Sequence, residues 1–254
     1  TEQMLRSIGH EIKGKTVAIS GFGNVGLIAG TLNFAGSTSN VVTTTGGTGT
    51  VVSVASTGVV NLGVAGNSLV GSVATLSFAA GSNCNSTGAT TGAPPVPLAT
   101  WDSASTLSIT GITTSTTGPT NNNQSFGNII YNCPLSSATL NFFGSTTTAV
   151  VKGNLTIVAA GATGGTGIFR ATSGTGLVTI NGNVTISQGR FQATSTSTGT
   201  VIANGNTTID ANGILDLSTT GTGGFLIARV FLGVTEAGNF PAAGGFRHAG
   251  VSDA

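Results

Sequence analysis

The chain has 254 residues, of which only 6% are Asp, Glu, Lys or Arg, and its formal net charge is +1; an ordinary soluble domain carries about 25% charged residues. Eight scattered Lys and Arg make no basic stripe, which excludes the electrostatic footprint of a nucleic-acid-binding protein. Apolar residues are 39% of the chain, enough for a core, and the abundance of Val, Ile and Thr favours pleated structure over helix.

Residues 1–30 stand apart. Met4, Leu5, Ile8 and Ile12 recur at helical spacing, and Thr16-Val17-Ala18-Ile19-Ser20 reads as a strand. Glu2, Arg6, Glu11, Lys13 and Lys15 give this stretch an ordinary globular composition, after which no charged residue occurs until Asp102. The opening residues show no secretory signal pattern. Directly after the strand, Gly21-Phe22-Gly23-Asn24-Val25-Gly26 fits G-x-G-x-x-G, whose glycines allow a tight turn, close approach of backbone to a pyrophosphate, and helix-strand packing.

Residues 14–26 resemble the nucleotide-binding fingerprint of glutamate and related amino-acid dehydrogenases. The resemblance covers about residues 1–30; it implies NAD or NADP held at Gly21, Gly23, Asn24 and Gly26, with a helix following the glycines. The chain departs from that family in two ways. Residues 37–50 contain no acid to meet a ribose hydroxyl. The family's substrate domain, with its catalytic lysine and aspartate, lies upstream of the fingerprint and has no counterpart here. The simpler reading is a helix-strand cap over the open end of a repeat, so no catalytic residue and no hydride transfer are expected.

From about 31 to 223, short apolar runs alternate with Gly, Asn, Ser and Thr. Val59-Val60-Asn61-Leu62, Leu76-Ser77-Phe78 and Thr106-Leu107-Ser108-Ile109 are examples. Three copies of one phrase stand out: Gly153-Asn154-Leu155-Thr156-Ile157, Gly182-Asn183-Val184-Thr185-Ile186 and Gly205-Asn206-Thr207-Thr208-Ile209, with starts 29 and 23 residues apart. Self-similarity at this period marks a stacked repeat. Three short strands per 23 residues predict an all-β chain folded as a parallel β-helix, with Ile186 and Ile209 at equivalent inward positions of successive coils. An antiparallel β-sandwich is the alternative, because hairpins give the same strand spacing.

Three prolines within Pro94-Pro95-Val96-Pro97 cannot donate to a ladder, so a boundary is expected between a first solenoid segment, 31–93, and a second, 98–223. Residues 116–125, with Pro119 and Asn121-Asn122-Asn123, read as a surface loop. Cys84 and Cys133 lie 49 residues apart, about two coils, and read either as half-buried thiols or as a disulfide in an exported chain. Residues 224–234 are too short for a membrane span of about 20 residues and contain Arg229. They predict a strand or cap in 224–254, and no transmembrane segment.

Catalytic chemistry is sparse. Asp102, Asp210, Asp216 and Glu236 are scattered, and His10 and His248 sit at opposite ends without metal-ligand spacing, so a noncatalytic protein without a metal is expected. Asn85, Asn123, Asn154, Asn183 and Asn206 each begin an N-x-S/T match but read first as turn formers. Thr194-Ser195-Thr196-Ser197-Thr198-Gly199-Thr200 reads as a solvated turn, with a hydroxyl row of the kind that binds ice or glycans as the sharper alternative.

Ser105-Thr106-Leu107-Ser108-Ile109-Thr110-Gly111, Asn123-Gln124-Ser125-Phe126-Gly127-Asn128-Ile129-Ile130-Tyr131-Asn132-Cys133, Leu140-Asn141-Phe142-Phe143 and the Gly-Asn-x-Thr-Ile phrases together resemble repeat regions of large secreted cell-surface proteins of the Bacteroidetes type. The resemblance spans about residues 100–220 and more loosely 31–90. It implies an extracellular, adhesin-like or surface-structural role, with glycans or other surface proteins as partners. Asp102-Ser103-Ala104 is similar to the short O-glycosylation signal of such proteins.

Overall fold

The structure is a computed structural model that describes residues 17–19, 26–34, 41–44, 49–63, 67–87, 91–145, 148–195, 199–217 and 224–232; every regular element among them is a strand. The helix expected around Met4 to Ile12 lies outside the described residues, whereas its companion strand is present as Val17–Ile19. Strand formation follows the alternation of the sequence. In Val59–Leu62, Val60 and Leu62 are buried while Val59 and Asn61 are half-exposed, and Thr106–Thr110 and Asn128–Cys133 repeat the pattern.

Each strand pairs with the strand one coil away, always in parallel. The step ranges from 22 residues, Thr106 to Asn128, to 29, Leu155 to Val184. Parallel neighbours need a connection of about a dozen residues or more, and here the remainder of the coil supplies it. The result is a three-faced β-solenoid. A sandwich of hairpins would require antiparallel ladders, and none occurs among the described strands.

The first face runs through Thr31–Phe34, Val59–Leu62, Asn83–Ser86, Thr106–Thr110, Asn128–Cys133 and Leu155–Ala160, then residues 184–186 and 207–209. A second face holds Thr139–Asn141, Ile168–Thr172, residues 190–194 and residues 214–216. Gly26–Ile28, Val52–Val54, Leu76–Phe78 and Thr100–Trp101 begin the third, which resumes with Thr148–Val151, Leu177–Ile180 and residues 200–203. At the far end, Gly224–Leu232 pairs onto the third and first faces of the coil below it.

Inward columns make the core. Val60, Cys84, Leu107, Ile129, Leu155 and Val184 are aligned by register on the first face and buried. In the neighbouring column Ile186 pairs with Ile209, as the repeat phrase predicts; Ile186 is fully buried and Ile209 packs against the core. Large rings pass up the interior from Phe78, stacked on Trp101 at 4.1 Å and 4°, through Phe126 and Phe142 to Phe169 and Phe191. Each such buried side chain contributes about 1.5–3 kcal/mol of burial, and each ring pair about 0.5–1.5 kcal/mol more.

The proline run does not break the stack. Asn83–Ser86 pairs directly with Thr106–Thr110 across it, so the expected boundary between 31–93 and 98–223 falls inside one continuous ladder. Pro94, Pro95, Val96 and Pro97 are buried in the place where other coils carry a second-face strand. Side chains of the next coil replace the missing ladder. Thr120 Oγ1 accepts the Val96 N–H at 2.8 Å, and Asn121 Nδ2 donates to Val96 O at 2.8 Å. Gln124 Oε1 accepts both the Ala99 N–H and the Trp101 Nε1–H at 3.0 Å, while its Nε2 donates to Pro97 O at 2.9 Å and Asn121 O at 2.8 Å. Residues 116–125 are thus a bracket as well as a loop.

Candidate functional site

The repeat phrase builds a corner leading onto the first face. Asn154 Oδ1 accepts the Asn183 N–H at 2.8 Å, and Asn183 Oδ1 accepts the Asn206 N–H at 2.9 Å. Asn128 begins the column by accepting the Asn154 N–H at 2.8 Å. Glycine precedes the asparagine because the coils touch there: a Cβ on Gly182 would lie 2.4 Å from Asn154 Oδ1 and 2.6 Å from Gly153 O. Asn154 and Asn183, two of the asparagines read as turn formers, are therefore also rungs joining one coil to the next, whereas Asn85 lies within the strand Asn83–Ser86.

Beyond this corner, the outward positions of the first face carry amides and hydroxyls in register. Asn61 Nδ2 donates to Asn33 Oδ1 at 2.6 Å, and Asn85 Nδ2 donates to Asn61 Oδ1 at 2.7 Å. Further along the same column Thr156 aligns with Thr185, and Thr185 with Thr208. Neighbouring strands lie about 4.8 Å apart, so one polar group recurs at nearly every such step. Of the hydroxyl row considered for residues 194–200, Thr194 and Ser195 are buried, and residues 196–198 lie outside the described residues.

Among the described side chains, charge is sparse around this surface. Six charged side chains are described, Asp102, Lys152, Arg170, Arg190, Asp210 and Asp216. Asp102 sits on the turn into the face with its Oδ1 taken by the Ala104 N–H at 2.8 Å, leaving Asp102, Ser103 and Ala104 exposed. Lys152 reaches across two coils to donate from Nζ to Trp101 O at 2.7 Å. Asp210 is exposed beside the register shift that follows Ile209. On the second face Arg190 pairs with Asp216, Nη1 to Oδ2, at 3.1 Å. Among the described residues no three His, Cys, Asp or Glu converge on a metal-sized site.

Of the glycine fingerprint, only Gly26 falls among the described residues. Gly26–Ile28 and Thr31–Phe34 are strands of the third and first faces, so Gly26 opens a strand where a dinucleotide fold needs a helix. A Cβ on Gly26 would lie 3.1 Å from Val52 Cγ2, which ties this glycine to coil packing. Gly21, Gly23 and Asn24 lie outside the described residues.

Cys84 and Cys133 are free and buried, in columns that do not meet. Burial pushes both thiols up from their ordinary range. Cys133 Sγ donates to Ile109 O at 3.6 Å. Among the described residues, no helix is long and apolar enough to cross a membrane. Compared with protein-family models, curated proteins and solved structures, the chain matched none of them.

Proposed function

We propose that this chain is a noncatalytic extracellular repeat scaffold, adhesin-like or surface-structural, whose first face makes many weak polar contacts with glycans or other surface proteins. One observation carries the reading: one outward column of that face holds Asn33, Asn61, Asn85, Ser108, Thr156, Thr185 and Thr208, interrupted by Ile130, with the described charges at its margins. Neutral donors and acceptors match the hydroxyls of a saccharide without the desolvation cost of a buried ion. Repetition at a fixed spacing lets individually weak contacts add through effective concentration. A rigid stack also holds these contacts at a set distance from either end.

The test is retention on immobilised neutral polysaccharides. Wild type should be retained, and the combined Thr156→Val, Thr185→Val and Thr208→Val variant, which removes hydroxyls while keeping shape, should be retained at least several-fold less. Equal retention of the two would overturn the assignment of this face. Melting with NAD or NADP should be unchanged, because a ligand that binds the native state raises stability; a raised melting temperature would instead favour a nucleotide-binding fragment.

A further inference from the structure

The second face holds a polar cluster whose charge is left incomplete. Asn141, Arg170, Gln192 and Asp216 share one register position on four successive coils. Arg170 donates from Nε to Gln192 Oε1 and from Nη1 to Asn141 Oδ1, the latter at 3.0 Å. Both acceptors are neutral. A guanidinium has five N–H groups, so the remaining N–H groups of Arg170 find no acceptor among the described residues. The nearby carboxylate, Asp216, is held by Arg190.

Gln192 is fully buried although its register position faces outward next to inward Phe191, and its Nε2 has no acceptor. Arg170 is half-exposed, so its remaining N–H groups are open to a ligand, and a buried donor without an acceptor, as at Gln192, is unfavourable. Burial also lowers the Arg170 pKa, the direction expected for a cation partly stripped of water.

We propose that Arg170, with Gln192 Nε2 beside it, receives a carboxylate of an acidic polysaccharide. The planar fork of arginine matches a planar carboxylate through paired hydrogen bonds, which a point charge does not. Its surroundings argue for a sparsely charged ligand: the flanking groups are the amide of Asn141, the mutually paired Arg190 and Asp216, and the outward apolar side chains of Ile168 and Ile214, a poor match for a polyphosphate. The inference rests on the glycan-contact reading but uses a different face, so the two can fail separately.

The experiment is binding to polygalacturonate, its methyl-esterified form and dextran sulfate, measured by calorimetry at low and high salt. Wild type should bind polygalacturonate at least tenfold more tightly than the esterified form, with the preference shrinking at high salt. Arg170→Gln should erase the preference, Arg170→Lys should retain only part of it, and Asp216→Asn should strengthen it by releasing Arg190. Circular dichroism melts establish that each variant is folded. Neutral glycan binding without any preference for polygalacturonate would overturn this inference and leave the scaffold reading standing. Binding of none of the polysaccharides would overturn both. An undiminished preference in Arg170→Gln, or a stronger response to dextran sulfate than to polygalacturonate, would also overturn it.

Discussion

The coil through the proline run and the coils of the repeat phrase face one problem and solve it by opposite means. In residues 182–209 backbone ladders join coil to coil and the asparagine rungs are an addition, one bond each. Between residues 94 and 101 ladder donors are missing, and one buried carboxamide, Gln124, makes four bonds in their place. Regularity spreads stability over many equivalent groups, whereas irregularity concentrates it in a few.

The widest separation between the two regions should come from Gln124→Ala. It leaves the Ala99 N–H and the Trp101 Nε1–H buried without acceptors, at about 1–3 kcal/mol each, and removes the carboxamide volume besides. Urea melts should show a loss of about 4–5 kcal/mol; a loss under about 1 kcal/mol would mean that water or a local shift replaces the bracket. In the regular coils the largest single effect should come from the core. Ile186→Ala opens a cavity at a fully buried position and should cost about 3 kcal/mol by the same measurement, within the usual range of about 2–5 kcal/mol.

Asn183→Ala should cost far less, about 0.5–1.5 kcal/mol, since an exposed rung is lost while the ladder remains. A cost equal to that of Gln124→Ala would erase the distinction between the two regions. Smallest of all is salt. The Arg190–Asp216 pair has side chains 42% and 29% exposed, so stability should change by less than about 1 kcal/mol between low and high salt. A larger change in the denaturation midpoint would show that ion pairs carry weight that the composition denies them.

What the sequence disclosed depended on how local the cause was. The repeat phrase was legible because each copy contains its own reasons: a glycine for close approach, an asparagine for the rung, and alternating apolar residues for the strand. The proline run was legible only in part, because a proline's missing donor is a local fact, whereas the acceptors and donors of Thr120, Asn121 and Gln124 arrive from the next coil. Gly26 shows how short a legible local pattern can be: it opens a strand whose partner, Val52–Val54, lies 26 residues further on. Arg170, Gln192 and Asp216 gave no signal at all. They lie more than twenty residues apart, and only the register brings them to one position.

The bracket also fixes the optical behaviour of the molecule. Trp101 is the only tryptophan in the chain, and it sits fully buried within that coil, stacked on Phe78 and hydrogen-bonded to Gln124. Intrinsic fluorescence is thus a spectator of one layer of the stack. Far-ultraviolet circular dichroism averages over all layers, so a denaturation followed at both signals compares the proline coil with the whole. Coincident curves would describe a stack that melts as one unit, and an early red shift in emission would place the first opening in the middle of the solenoid instead of at its ends.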